Sequence, residues 1–140
     1  TTLNYDASEI EVLNEEFKDL KFDRILIDAP CSGWGVFRSK PDIKLNQDQR
    51  SILDIIKVQQ KILETAVNFL AEDGEIIYST CTINKEENEQ QIEKLLTNNE
   101  FVEITDETIA SLSIKNKFGY TLTPDQHNCD GFYMCKIKRI

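Results

Sequence analysis

The chain has 140 residues, 40% apolar and 29% charged, with 25 acidic against 16 basic side chains and a formal charge of −9. That size suits one domain with a modest core. With no apolar run of membrane length, a soluble cytoplasmic protein with no membrane partner is expected. The acidic balance repels polyanions and argues against this chain gripping nucleic acid unaided.

Residues 1–6 suit a short strand ending at Asp6. Ser8 is placed to cap a helix whose apolar positions are Ile10, Leu13, Phe17 and Leu20. Arg24 to Ala29 is a compact apolar run, the pattern of a parallel strand covered on both faces. Residues 30–41 are irregular, with two glycines, Arg38 and Lys40. Asn46-Gln47-Asp48-Gln49 opens a long helix with Ile52, Ile55, Ile56, Leu63, Ala66 and Leu70 on one face, and Gly74 is placed to end it. Ile76 to Ser79 is the next strand. Asn84 is a candidate cap for a further helix buried through Ile92, Leu95 and Leu96. Phe101 to Ile104 reads as a short strand, residues 105–125 as less regular, and residues 131–138 as a last strand.

The pattern favours α/β. Strand 24–29, helix 46–72 and strand 75–79 form a crossover unit, which is nearly always right-handed. Two parallel neighbours release their following loops at the same edge of the sheet. Cys31 follows the first strand by a few residues and Cys81 follows the second, so both thiols are expected at that edge. Each is flanked by hydroxyl residues, Ser32 beside one and Thr80 and Thr82 beside the other. A two-cysteine active site is the resulting hypothesis, set against the commoner role of cysteine as a small buried hydrophobe. Cys129 and Cys135 have weaker claims, and Cys135 is expected to pack in the final strand. With no close C-x-x-C pair and one histidine, His127, structural zinc is not expected. Reduced thiols are.

Asp28 stands three residues before Cys31 and suits either a loop cap or a carboxyl group that bonds a substrate ring or amide. Asp6 could accept a hydrogen bond from a ligand or serve as an ordinary turn aspartate. Arg38 and Lys40 read as solvated loop charge or phosphate contacts. Glu87-Asn88-Glu89 reads as the exposed first turn of a helix.

Taken together, these segments resemble the RNA cytosine-5 methyltransferases of the Sun/Fmu (NOL/NOP) family, nearest to its bacterial small-subunit ribosomal RNA branch. The resemblance rests on Asp28-Ala29-Pro30-Cys31-Ser32-Gly33 with Arg38 and Pro41-Asp42, and on Tyr78-Ser79-Thr80-Cys81-Thr82 with Glu87-Asn88-Glu89. Asp130-Gly131-Phe132-Tyr133 completes it, in family order across most of the chain. It implies that Cys81 attacks carbon 6 of the cytosine and that Cys31 assists the elimination that frees the methylated RNA. It implies that Asp28 hydrogen-bonds the ring, and that Asp6, Asp28 and Pro30 lie against S-adenosylmethionine. Small-subunit ribosomal RNA is the implied partner. An aromatic ring resists direct methylation, which is why a covalent nucleophile comes first, and the base must leave its stack to be reached.

The departures are as informative. No glycine-rich loop precedes Asp6, the acidic residue that holds the cofactor ribose has no counterpart, and Tyr133 stands where phenylalanine is common. The expected architecture is a partial Rossmann-like methyltransferase fold lacking its first two strands. Residues 1–140 would be the C-terminal part of the catalytic domain, consistent with a chain that starts Thr1-Thr2 without an initiator Met or a secretory leader. The cofactor site would be incomplete and the isolated chain inactive. The strand at 24–29 would be left with an open edge that invites self-association. The competing readings are a non-catalytic methyltransferase-like module that binds RNA or protein, and a thiol redox protein using Cys31 and Cys81.

Overall fold

The structure is a computed structural model that describes residues 2–43, 48–97 and 100–140. Helix α1 (Ile10–Phe17) leads into strand β1 (Phe22–Asp28), followed by the long helix α2 (Gln49–Phe69) and strand β2 (Leu70–Thr80). Helix α3 (Glu89–Leu96), β3 (Phe101–Glu103), α4 (Glu107–Leu112), β4 (Ile114–Lys115), β5 (Tyr120–Leu122), the single-turn α5 (Pro124–His127) and β6 (Phe132–Arg139) complete the chain.

One mixed sheet runs β1-β2-β6-β5-β4, and β3 pairs with β6. β1 and β2 are parallel, with Ile25 opposite Ile76 and Ile27 opposite Tyr78. β6 runs antiparallel to β2, setting Tyr78 opposite Cys135 and Thr80 opposite Tyr133. On its other side β6 pairs with β5 near its start and with β3 near its end. Among the described residues β1 has only β2 beside it, so its outer edge is open. The expected strand–helix–strand unit is present, and its helix packs back on β1 and β2.

Alternation along the strands assigns the two faces of the sheet. Ile27, Ile76, Tyr78, Tyr133, Cys135 and Ile137 are buried and form the core with Leu63 and Ala66 of α2 and Ile92 of α3. The opposite parity places Leu26 beside Ile77, and these are 70% and 36% exposed. The apolar run in β1 predicts cover on both faces, but only the face toward α2 receives it. Cys135 packs in the core as expected, 1% exposed.

Several boundaries differ from the sequence expectation. Residues 2–6 form no strand. Ser8 does not cap α1; its backbone N–H and its hydroxyl both donate to Asp6 Oδ1, at 2.8 and 2.7 Å. That helix ends at Phe17, followed by Lys18 at φ 47°, which leaves Leu20 exposed. Asn46 and Gln47 lie outside the described residues. Asp48 is the observed cap of α2, accepting from Ser51 N–H at 2.8 Å. The helix stops at Phe69 and the chain enters β2 at once, so Gly74 lies inside the strand rather than at a helix end. The pairing slips there, from Phe22 opposite Leu70 to Arg24 opposite Glu75. Asn84 does not cap α3, which begins only at Glu89. The span 105–125 holds two short helices and the β4–β5 hairpin, closed by Gly119 at φ 71°.

Candidate active site

β1 and β2 end side by side, and the Ala29 N–H still donates to Ser79 O at 2.9 Å as the strands part. The loops that follow carry Cys31 and Cys81 to a Sγ–Sγ separation of 3.1 Å, within sulfur hydrogen-bonding range. Both thiols are half-buried. Burial, reinforced by the bond to Cys81, pushes the Cys31 thiol up to about 12. Cys31 therefore holds its proton at neutral pH and can donate it toward the facing sulfur.

The loop after Cys31 is pinned by backbone. Gly35 N–H donates to Cys81 O at 3.0 Å, and Gly131 N–H donates to Gly35 O at 2.7 Å. A Cβ on Gly35 would sit 2.1 Å from Gly131 O and 2.8 Å from Cys81 O, so this approach excludes any side chain. Ser39 Oγ adds a bond to Asp130 Oδ2 at 3.0 Å. The segments beginning at Asp28, Tyr78 and Asp130 thus meet around one pair of sulfurs.

Behind the thiols lies a buried polar cluster. Glu87 is fully buried, with Asn88 at 3% and Ser32 at 1% exposure. The exposed helical turn expected at Glu87-Asn88-Glu89 is therefore wrong: the first two residues are buried ahead of the helix and Glu89 is half-buried. Glu87 accepts from Ser32 N–H at 2.8 Å, Ser32 Oγ at 2.6 Å, Asn84 Nδ2 at 3.0 Å and Gln59 Nε2 at 3.1 Å. Run after run of acidic and amide residues hid this site in the sequence. One signal was available: Glu87, Gln91 and Leu95 recur every four residues, continuing the buried stripe of α3.

Asp28 ends β1 on the less covered face, exposed, with Ser79 Oγ donating to its Oδ1 at 3.4 Å. Pro30 is exposed beside it. Both line an apolar groove of about 560 Å³ along the open edge of β1, together with Ala7, Ile25, Leu26 and Ile62. Asp6, next to Ala7, is exposed, and its bonds from Ser8 hold its carboxyl below the usual carboxylate range. The structure thus brings Cys31 and Cys81 into contact and places Asp28 and Pro30 on a shared groove, while Asp6 is engaged in its own turn. Arg38 and Lys40 are exposed, and Arg38 Nη1 reaches Asn128 Oδ1 at 3.4 Å. Among the described residues, no helix is long and apolar enough to cross a membrane, and no cluster of three or more His, Cys, Asp or Glu could hold a metal ion.

Comparison with known proteins places this geometry in a family. The chain is 38% identical over 121 residues to ribosomal RNA small subunit methyltransferase B of Pasteurella multocida, covering 86% of this chain and 27% of that protein. It is 35% identical over 126 residues to ribosomal RNA small subunit methyltransferase F of Vibrio cholerae, covering 86% and 26%. The chain therefore spans about a quarter of the length of these relatives. The solved structure of NSun6 from Pyrococcus horikoshii with SFG superposes with a TM-score of 0.78 at 25% identity, over 99% of this chain and 34% of that one. The fold is accordingly a partial α/β methyltransferase fold. The family described as 16S rRNA methyltransferase RsmB/F matches residues 1–138, and the chain belongs to it.

Proposed function

We propose that this chain carries the nucleophile-bearing, C-terminal part of an RNA cytosine-5 methyltransferase acting on small-subunit ribosomal RNA. The observation that carries this reading is the contact between Cys31 and Cys81 at the parting ends of two parallel strands, 3.1 Å apart. Cys81 as thiolate attacks carbon 6 of an unstacked cytosine, forming an S–C bond and making carbon 5 electron-rich. Asp28, at the same strand end, hydrogen-bonds the ring. Cys31 serves the second half of the reaction, in which carbon 5 loses its proton, the S–C bond breaks and Cys81 leaves as thiolate. Cys31, still protonated, donates a hydrogen bond across the 3.1 Å contact to the departing Cys81 thiolate, and the carbon-5 proton passes to solvent base.

S-adenosylmethionine would supply the methyl group. The residues present fit one wall of its site: Asp28 and Pro30 border an apolar groove that Ala7 extends toward Asp6. That wall stands on an open strand edge. Further strands of a longer enzyme would complete it there, so the isolated chain is inactive and its acidic surface leaves most of the RNA grip to other segments.

A reversible Cys31–Cys81 disulfide would use the same proximity. The match of residues 1–138 to a methyltransferase family supports methyl transfer over a redox role. Methyl transfer is the better reading. In the full-length enzyme, with S-adenosylmethionine and 16S rRNA transcribed in vitro, Cys81→Ser is expected to abolish methylation. Cys31→Ser is expected to accumulate an RNA–protein adduct on denaturing gels. Normal turnover in Cys81→Ser would refute the nucleophile assignment.

A further inference from the structure

Each thiol is flanked by a residue held by its own polar neighbour, and the two neighbours, Glu87 and Asn88, are consecutive in sequence. Around Cys31, Ser32 is bound through both its N–H and its hydroxyl to Glu87, at 2.8 and 2.6 Å. On its other side the Pro30 carbonyl accepts from Gln59 Nε2 at 2.8 Å, and the same nitrogen reaches Glu87 at 3.1 Å. Around Cys81, Thr80 Oγ1 donates to Asn88 Oδ1 at 2.6 Å, while Asn88 Nδ2 donates to Thr82 O at 2.9 Å. The two sets are joined where the Thr82 and Ser32 hydroxyls meet at 2.9 Å. Tyr78 Oη donates to Glu87 O at 2.7 Å, tying this segment to β2.

The chemistry of the cluster explains its residue types. All four partners of Glu87 donate, and none is a cation. A buried carboxylate is tolerable only when its lone pairs are met in this way. An amide in its place would turn a donor toward groups that already donate. Asn88 faces the opposite requirement, since a hydroxyl approaches it from one side and a carbonyl from the other. Only a side chain that both accepts and donates satisfies both.

We propose that Glu87 and Asn88 are positioning residues with divided duties, Glu87 fixing Cys31 and Asn88 fixing Cys81. This rests on the roles proposed above for the two cysteines. Misplacing either sulfur disrupts a different half of the reaction, so the two substitutions fail in different ways. Glu87→Gln reverses the Ser32–Thr82 hydroxyl chain and releases the Cys31 loop, slowing elimination after the adduct has formed. Asn88→Ala frees both flanks of Cys81, and attack on the ring fails first.

The test uses the full-length enzyme with S-adenosylmethionine and in vitro transcribed 16S rRNA, scoring turnover, KM for RNA and gel-stable adduct. Glu87→Gln is expected to lower kcat roughly 10- to 100-fold with KM little changed, and to accumulate adduct as Cys31→Ser does. Asn88→Ala is expected to lose turnover without adduct, as Cys81→Ser does. Ser32→Ala, which keeps the backbone bond to Glu87, should raise adduct while melting somewhat lower but still well above the assay temperature, and carries the test if Glu87→Gln does not fold. Equal adduct in the Glu87 and Asn88 variants, with the cysteine controls behaving as proposed, would overturn the division of duties alone. Failure of the cysteine controls to separate would overturn the underlying reading of the site.

Discussion

The two sides of β1 differ sharply in how they are finished. At its C-terminal end, toward β2, the Cys31 loop lies in a cluster where Ser32, Glu87 and Asn88 are each under 4% exposed and hydrogen-bonded. Along its outer edge and second face, Leu26 is 70% exposed, and the exposed Asp28 and Pro30 line an open groove. The thiol geometry is therefore determined by contacts within these 140 residues. The groove runs between β1 and Ile62, Thr65 and Phe69 of α2, with Ala7 and Leu13 also lining it. Under the function proposed above, that asymmetry separates the part that would activate the base from the part that would receive the methyl donor.

The comparison predicts unequal sensitivity to loss of a carboxylate. Glu87→Ala strips the acceptor from four donors and is expected to cost about 3–5 kcal/mol in urea unfolding. Asp28→Ala, at an exposed strand end, should stay within about 0.5 kcal/mol. Equal effects would show that the thiol end is no more tightly organised than the groove.

The core thiol Cys135 and the site thiol Cys31 are alike in one respect, since burial raises both. Burial pushes Cys135 up to about 12 from an ordinary 9. Between those values the folded chain keeps a proton that the unfolded chain releases, so the stability present below pH 9 declines as pH rises toward 12. The loss from this group is at most about 4 kcal/mol. Tyr78 and Tyr133, whose hydroxyls are also raised by burial, add a loss of the same sign at higher pH. Cys135→Ala should lower stability at pH 8 yet flatten the alkaline decline, read from urea midpoints across the range. An identical slope in the variant would remove Cys135 as a source.

The sequence made the thiol end partly legible, because its logic is topological. Two apolar runs flanking one helix-length segment demand a parallel crossover, and parallel neighbours deliver Cys31 and Cys81 to one edge whatever the loops do in detail. Glu87 was legible only through its four-residue spacing to Gln91 and Leu95, because among Glu86, Glu87 and Glu89 composition alone favours solvent. Its burial depends on Ser32 and Gln59, 55 and 28 residues away. The β4–β5 hairpin was hidden for a related reason: strands of two and three residues have no period to read, and β5 exists by pairing with β6. The groove residues pose the reverse problem. Arg24 to Ala29 announces a strand buried on both faces, and the second cover is not provided by the described residues.

That mismatch sets the last prediction, the smallest in this chain. Leu26→Lys replaces a side chain 70% exposed, so its effect on unfolding of these 140 residues should be under about 0.5 kcal/mol. The same face, with Ile77 beside Leu26 and an unpaired strand edge next to it, is where the expected self-association would occur. In sedimentation the unaltered chain should then gain mass with concentration, and Leu26→Lys should not. If further strands cover that face in the full-length enzyme, the substitution should instead cost about 2–5 kcal/mol there, the range for a core leucine. If Leu26→Lys is harmless in both settings, β1 is an edge strand in the complete enzyme too, and the methyl donor's site must be completed without covering that face.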